Sequence, residues 1–176
     1  RVTPSYSGIT YKRLEKNGLQ WPCPTPDHKG TKYLHKDRFT RGLGLFHAIE
    51  YIPPAELPDE SYPLLLSTGR VLYHYHTGTM TRQSKGATER YPESLVEINP
   101  QDADRLGIFD GQMVKVTSRR GELQAKAKLT ERSAAGAIFM NFHFHEAAVN
   151  LLTNPVLDPI GKIPEYKVCA VRVEAA

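Results

Sequence analysis

The sequence predicts a mainly β fold with inserted short helices, in which a compact β-barrel follows a proline-rich, irregular segment. From residue 62 onward, short apolar runs bounded by turn residues outnumber helical patterns. One of these runs, residues 122–129, alternates apolar and polar side chains, as a strand with one buried face does. Eight of the 13 prolines fall in residues 1–63. We expect the strands to form a closed barrel, because closure leaves no sheet edge exposed.

Residues 1–60 are predicted to form an irregular strap or linker. Each proline fixes φ and removes a backbone donor, so the run at residues 21–26 should be extended. Only residues 11–16 indicate a short helix. An irregular stretch of this length is unusual within a compact domain. We therefore expect residues 1–60 to wrap over another part of a larger protein, and residues 61–176 to form the barrel domain.

The barrel region contains six predicted strands and one well-defined helix. Asn99 can cap this helix and Pro100 suits its first turn, while Gly107 is typical of the residue that follows a helix. The carboxylates of Asp102 and Asp104 would lie near its positive end. The strands are expected at residues 64–67, 95–98, 113–118, 122–129, 137–140 and 168–173, with a tight reversal at residues 119–121.

Composition excludes several classes of protein. Mean hydropathy is −0.45, and no apolar run approaches the ~20 residues of a membrane span, so we expect no membrane insertion. The net charge of +4 is not concentrated in a basic stripe, which argues against nucleic acid as a partner. Cys23 and Cys169 are too few for a disulfide scaffold, an iron–sulfur cluster or a four-cysteine zinc site. Their scarcity fits a reducing, cytoplasmic location. Since the chain begins at Arg1 rather than Met, we expect it to be a piece of a longer polypeptide.

The segment at residues 68–82 has the composition of an anion-binding loop. It follows a strand and contains two glycines, four threonines, two histidines and two arginines. Glycines allow backbone amides to approach an oxyanion, and threonine hydroxyls and arginines supply further donors for a pyrophosphate. Neither a P-loop ending nor a Gly-x-Gly-x-x-Gly turn is present. The alternative is that this segment is simply a polar surface loop.

Two His-x-His pairs could form a metal site. His74 and His76 form one pair and His143 and His145 the other, and each pair directly follows a predicted strand. On a strand both members of a pair would point to the same face. Four imidazoles would suit zinc, iron or copper, whereas the alternative is that they hydrogen-bond along the rim of a loop. We assign no residue as a metal ligand, because no carboxylate is placed as a further ligand or supporting partner.

No residue is predicted to be catalytic. Cys23 lies between prolines and Cys169 within a predicted buried strand, and neither has an adjacent cation in sequence that would lower its pKa. No nucleophile is accompanied by a base at motif spacing. On its chemistry alone the chain is therefore expected to be a binding module rather than a self-sufficient enzyme.

Six motifs in order carry a family resemblance: Tyr62-Pro63-Leu64-Leu65-Leu66-Ser67-Thr68-Gly69-Arg70, Thr79-Met80-Thr81, Ile98-Asn99-Pro100-x-Asp102-Ala103, Ser118-Arg119-Arg120-Gly121, Asn150-Leu151-Leu152-Thr153 and Pro164-Glu165-Tyr166-Lys167. The chain resembles the C-terminal molybdopterin-dinucleotide-binding domain of the catalytic (alpha) subunit of molybdenum- or tungsten-dependent formate dehydrogenases, in the dimethyl-sulfoxide-reductase superfamily. The resemblance covers residues 60–176 closely. Residues 18–22 and 54–58 resemble the segment that precedes this domain in the same subunits.

The resemblance implies a double-psi β-barrel over residues 61–176 that binds bis(molybdopterin guanine dinucleotide) with Mo or W. Formate would be oxidised to CO2 only together with the rest of the catalytic subunit. Carried over by position, the residues in contact with the cofactor would be Thr68, Gly69, Arg70, Val71, Leu72, His74, His76, Thr81, His143, Phe144, Asn150, Tyr166 and Lys167. His145 lies in the same stretch as His143 and Phe144, where the family carries aromatic or polar residues near the pterin.

The parts of the family that handle the metal and formate are expected elsewhere. Cys23 precedes Pro24 and Cys169 precedes Ala170, so neither matches the metal-bound cysteine or selenocysteine that histidine follows in the family. The iron–sulfur ligands would also belong to the remaining polypeptide. The chain alone is therefore expected to be inactive, with the remainder of the subunit and possible electron-transfer subunits as partners. The alternatives are another molybdopterin oxidoreductase such as a nitrate reductase, a stand-alone histidine-rich metal-binding barrel, and a non-catalytic assembly module.

Overall fold

Residues 64–175 contain a closed six-stranded barrel in the computed structural model, which describes residues 3–176. Each strand predicted from the sequence is present, to within two residues at its ends. The strands are β1 (Leu64–Gly69), β2 (Leu95–Ile98), β3 (Met113–Thr117), β4 (Glu122–Leu129), β5 (Ala137–Asn141) and β6 (Cys169–Ala175). Their order around the barrel is β1-β5-β2-β4-β3-β6, and β6 pairs again with β1.

Two interlocked crossings define the barrel topology. β5 lies between β1 and β2, parallel to the first and antiparallel to the second. Likewise, β2 lies between β4 and β5, parallel to β4 and antiparallel to β5. In the first crossing, β1 and β2 follow one another in sequence and run antiparallel, with β5 between them. In the second, β4 and β5 follow one another and run antiparallel, with β2 between them. Each set of three strands has the shape of the letter psi. The fold is therefore a double-psi β-barrel, as the family resemblance implies.

Alternating side chains fill the barrel interior. Leu66, Ile98 and Val116 are among the fully buried residues, and polar neighbours on the same strands face outward. In β4, Leu123, Ala125 and Ala127 are buried and the intervening Gln and Lys side chains are exposed, as the alternation predicts. Leu129 is only partly buried and packs against the edge of the core. Burying these apolar surfaces is the main force that closes the barrel.

The helix α3 (Pro100–Leu106) begins and ends where the sequence predicts. A second helix, α2 (Lys85–Arg90), had no clear signal in the sequence. The Asn99 side chain accepts a hydrogen bond from the Gln101 amide at 3.0 Å, and Gly107 adopts φ of 67°. α2 and a single 3₁₀ turn at Thr81–Gln83 precede β2. α2 contains Gly86 and Thr88, which are poor helix formers, so intrinsic preference did not identify it.

The part of the chain that ends at Tyr51 is a separate compact unit, and Ile52–Ala176 is the other. In the described part of the first unit the backbone is mostly irregular, apart from α1 (Tyr11–Leu14) and a 3₁₀ turn at Pro4–Tyr6. α1 confirms the predicted short helix but ends two residues earlier. The predicted division into a strap over residues 1–60 and a barrel domain over residues 61–176 stays a prediction. None of the helices described is both long and apolar enough to cross a membrane.

The first test concerns Asp102, which fastens α3 to the start of β5. Its carboxylate is buried, accepts a hydrogen bond from the Gly136 amide at 2.6 Å and pairs with Arg105 at 2.6 Å. Asp102→Ala leaves the Gly136 donor without its partner, so the free energy of unfolding should fall by about 2 to 3 kcal/mol. Urea denaturation measures this. Asp104→Ala, on the exposed side of the same helix, is the matched control and should change stability far less; equal losses would contradict the role of Asp102.

Candidate functional site

The end of β1 and the segment before β6 meet, as the predicted site requires. The Thr68 hydroxyl donates to the Tyr166 carbonyl at 2.6 Å, and the Lys167 ammonium donates to the Thr68 carbonyl at 3.0 Å. The Lys167 ammonium also lies 5.2 Å from the centre of the Tyr166 ring. Two predicted groups of site residues, separated by about a hundred positions in sequence, therefore form one junction.

Gly69 permits close packing where β1 ends. A Cβ atom at this position would lie 2.5 Å from the Phe139 ring, closer than side-chain atoms approach one another. Since Gly69 pairs with Asn141 in the parallel β1–β5 ladder, its lack of a side chain lets the two strand ends lie together. The loop after β1 thereby begins beside the loop after β5.

His143 joins these two loops. Its side chain is fully buried, its Nε2 accepts from the Val71 amide at 2.9 Å, and its Nδ1 donates to the His76 carbonyl. Burial lowers the pKa of His143 below its ordinary value; the bond to the His76 carbonyl opposes this, and the charges of His74 and Arg70 add to it. The ring is thus the neutral tautomer with its proton on Nδ1, and it fixes the backbone of the loop at two points.

A second buried imidazole organises the same loop from within. His74 Nε2 donates to the Tyr91 carbonyl at 2.7 Å, and Nδ1 lies 3.1 Å from the Thr81 hydroxyl. The Thr81 hydroxyl oxygen also accepts from the Tyr75 amide at 3.2 Å. The edge of the His74 ring meets the buried Phe144 ring, with centres 5.2 Å apart. Three predicted site residues, His74, Thr81 and Phe144, are therefore brought together.

The expected pairing of histidines on a common face is wrong. His74 and His143 are buried, whereas His76, which has a left-handed φ of 48°, and His145 are exposed. The pairs lie beyond the strand ends, where the chain turns and the two-residue alternation of a strand no longer applies. The nitrogens of His74 and His143 bond to the protein, and among residues 3–176 no group of three or more His, Cys, Asp or Glu side chains could hold a metal ion. The rings of His74 and His143 hydrogen-bond within the loops, as the alternative expects for these two residues.

A cavity of about 670 Å³ opens beside the loop after β1. Three predicted residues line it, Arg70, Val71 and Leu72. Residues that sequence reasoning did not assign to the site also line it, among them Tyr91, Glu97, Arg132 and Ser133. They come from β2 and from the turns before β2 and β5, and no shared motif connects them. The Arg70 guanidinium lies 5.8 Å from the centre of the Phe142 ring, which is another aromatic residue that the sequence did not assign.

The remaining predicted residues occupy different surroundings. Leu72 is 90% exposed and Arg70 is exposed beside it. Asn150 is exposed in the 3₁₀ turn Val149–Leu151, where its carbonyl accepts from the Thr153 hydroxyl at 3.0 Å. Within residues 3–176 no hydrogen bond links its side chain to the rest of the predicted set. Phe144 is buried, with the Arg82 guanidinium 4.9 Å above its ring centre. Contact of Asn150 and Phe144 with a ligand stays a prediction.

The Cys169 thiol is not activated for nucleophilic chemistry. Burial raises its pKa to about 11, although the charge of Arg120 acts in the opposite direction. No cation adjoins Cys169 in sequence, but the fold brings Arg120 beside it from the hairpin between β3 and β4, because β3 pairs with β6. At neutral pH the thiol stays protonated, so the site offers binding groups rather than a reactive sulfur.

The chain is similar to known proteins over almost its whole length. The family model described as the molydopterin dinucleotide binding domain matches residues 64–170. The F420-dependent formate dehydrogenase alpha subunit of Methanocaldococcus jannaschii is 55% identical over 99% of the chain and 26% of its own length. The assimilatory nitrate reductase catalytic subunit of Bacillus subtilis is 42% identical over 96% of the chain and 24% of its own.

The fold similarity extends to solved structures. Acetylene hydratase from Pelobacter acetylenicus superposes with a TM-score of 0.59 at 17% identity, over 76% of this chain and 21% of that protein. The chain spans about a quarter of the length of the curated relatives that it matches.

The second test concerns the protonation of His143. Because its folded pKa is lowered, the unfolded chain binds more protons, and stability should fall as pH drops below the ordinary histidine value of about 6.5. His143→Gln keeps an acceptor for the Val71 amide but cannot titrate. The loss of unfolding free energy between pH 7.5 and pH 5.5 should therefore be smaller in this variant than in the wild type. His145→Gln, at an exposed ring, is the control; identical pH profiles for wild type and His143→Gln would contradict the assignment.

Proposed function

This chain belongs to the molydopterin dinucleotide binding domain family, and we propose that it holds part of a bis(molybdopterin guanine dinucleotide) in a formate dehydrogenase. A molybdopterin-type cofactor is the ligand of the family. The guanine base, the paired form of the cofactor and its Mo or W atom are our proposal. The observation that carries it is the junction of Thr68 with Tyr166 and Lys167, beside a cavity lined by Arg70 and Arg132.

The donors at this site suit a diphosphate-linked ligand. Within the part of the chain that the structure describes, neither Arg70 nor Arg132 forms an ion pair, so both guanidinium groups are free to bind phosphate oxygens. Arginine is well suited to this role because its planar fork donates two parallel hydrogen bonds. Hydroxyls and backbone amides of the loop after β1 add neutral donors.

The chain's own residues would bind and orient the cofactor. When bound, the metal centre of the cofactor supplies the redox chemistry. His143 holds the loop after β1 in place through Val71 and His76, so that the ligand meets a preformed surface. Lys167 and Thr68 keep the segment before β6 against that loop. Preformed contacts reduce the ordering cost of binding.

We propose formate as the substrate of the whole enzyme because of the relatives named formate dehydrogenase alpha subunits, at 49–55% identity. The metal-bound cysteine or selenocysteine, the iron–sulfur ligands and the formate-binding groups would come from the remaining polypeptide, and electron-transfer subunits would complete the enzyme. The chain alone would then be inactive. A nitrate reductase is the second candidate, since relatives with that name are 38–42% identical.

An exposed apolar segment supports the remainder of the catalytic subunit as a partner. Between residues 43 and 52, six large apolar side chains are at least 80% exposed: Leu43, Leu45, Phe46, Ile49, Tyr51 and Ile52. Burial of such surface is favourable by about 25 cal/mol per Å², so a contiguous exposed run marks an interaction surface. We propose that the remainder of the subunit covers it.

The two free cysteines, both buried, are consistent with a cytoplasmic, reducing location, which we also propose.

The third test removes the Arg70 guanidinium from the whole polypeptide that the gene encodes. Arg70→Gln should weaken retention of the cofactor by about 10-fold to 100-fold, since a charge-assisted hydrogen bond to phosphate is worth roughly 1.5–3 kcal/mol. Molybdopterin fluorescence after acid release measures the cofactor content of dialysed protein. Arg172→Gln on the outer side of β6 is the matched control. Full cofactor content in Arg70→Gln would contradict a phosphate-binding role for this side chain.

The fourth test identifies the substrate of the complete enzyme. Purified complex should reduce an artificial acceptor with formate as donor, and should fail to oxidise a reduced viologen with nitrate. The reason for this expectation is the higher identity to formate dehydrogenase alpha subunits. Turnover with nitrate and none with formate would favour the second candidate and leave the cofactor-binding role unchanged.

A further inference from the structure

Glu97 is an outward-facing residue of β2 that is nevertheless buried. Its neighbours Val96 and Ile98 are fully buried in the core, so alternation along the strand turns Glu97 to the outside of the barrel. There it pairs in register with Phe139 of β5 and lines the 670 Å³ cavity together with Arg70 and Arg132. Only 8% of the residue is exposed.

The Glu97 carboxylate has no donor within residues 3–176. Neither of its oxygens accepts a hydrogen bond, and no lysine, arginine or histidine lies within ion-pair distance. The buried carboxylate of Asp102 and the partly buried carboxylate of Glu56 differ in this respect. Asp102 bonds to the Gly136 amide and to Arg105, and Glu56 bonds to Arg120 and to the Ala170 amide. Although Glu97 is little exposed, its carboxylate oxygens are not among the buried atoms that lack a partner, so they open onto the cavity and can accept hydrogen bonds from a ligand that brings donors.

The walls of the cavity restrict the chemistry of that ligand. Burial raises the pKa of Tyr91, and the Glu97 charge raises it further, which is consistent with a carboxylate facing the phenol. Arg132 opposes this effect by its own charge. The cavity therefore combines one acceptor-only group with two guanidinium groups, Arg70 and Arg132. A matching ligand carries neighbouring N–H donors at one end and an anionic group at another.

We propose that the Glu97 carboxylate accepts the paired N–H donors of a 2-amino-4-oxopyrimidine edge, which guanine and pterin share. A carboxylate offers two acceptors at the spacing of an N–H and an adjacent NH2 group. Hypoxanthine lacks the NH2 group, and adenine presents a ring nitrogen acceptor at that edge, which the carboxylate would repel. The inference rests on the proposed function and adds which residue recognises the ring system.

Equilibrium binding to the cofactor-free whole polypeptide tests this proposal, with GDP, IDP and ADP as probes. Wild type should bind GDP about 10-fold to 100-fold more tightly than IDP or ADP, because one charged hydrogen bond or more is lost with each analogue. Glu97→Gln, which has nearly the same shape, should weaken GDP binding by a similar factor and remove the preference. Glu122→Gln, an exposed residue at the start of β4, should leave both unchanged. Competition by free pterin against GDP distinguishes a pterin site from a guanine site.

The outcomes separate this inference from the proposed function. Cofactor content of the holo-protein, measured by molybdopterin fluorescence, reports the proposed function independently. A wild-type protein that retains cofactor but binds the three nucleotides equally, or binds none of them, would overturn the role of Glu97 alone. So would a Glu97→Gln variant that keeps the preference for GDP. If Glu97→Gln instead lowered the unfolding midpoint without changing nucleotide preference, Glu97 would be paired with a cation from the remaining polypeptide and the inference would be wrong.

Discussion

The parallel pairing of β1 with β5 determines where the site lies. Parallel strands end at the same edge of a sheet, so the loops that follow β1 and β5 leave the barrel side by side. The contact between Gly69 and the Phe139 ring keeps the two strand ends close enough for His143, just after β5, to reach the Val71 amide. A side chain at position 69 would displace the Phe139 ring from this contact. The loop after β1 is therefore positioned by the pairing of β1 with β5 and by the His143 hydrogen bonds.

Local signals in the sequence were sufficient for the barrel elements. Alternation defined β4, and the combination of Asn99, Pro100 and Gly107 defined α3, because these preferences act over a few residues. The histidine pairs were misjudged because their orientation depends on turns beyond the strand ends. Glu97 looked like an ordinary polar position on the outer face of a strand. Its burial comes from β5 and from the turn around Ser133, which lies 36 positions later in the chain. Such long-range burial leaves no local pattern.

The location of the junction between Thr68 and Lys167 was implied by family motifs rather than by physical reasoning from the residues. The composition of the segment that begins at Thr68 indicated anion binding, but nothing around Lys167 connected it to that segment, and only closure of β6 onto β1 brings the two residues together. Glu56 is an acidic residue that connects other parts of the same barrel. Burial works to raise the pKa of Glu56, but hydrogen bonds from Arg120 and the Ala170 amide lower it overall. Glu56 thus fastens the segment before β1 to β6 and to the hairpin between β3 and β4, with its charge fully paired.

Glu56 and Glu97 are two carboxylates of one barrel with different roles: Glu56 stabilises the fold through its paired donors, and we propose that Glu97 binds a ligand. Both carboxylates lie outside the apolar core, yet the fold surrounds Glu56 with donors and gives Glu97 none. The Glu97 oxygens are not among the buried unpartnered atoms of residues 3–176, so they stay open to the cavity, where a ligand can reach them. Two guanidinium groups in the same cavity are also left without ion pairs within residues 3–176. A site that holds unpaired groups of both charges is complementary to a ligand with N–H donors and phosphates. In our proposal the Glu97 carboxylate obtains its hydrogen-bond donors from such a ligand.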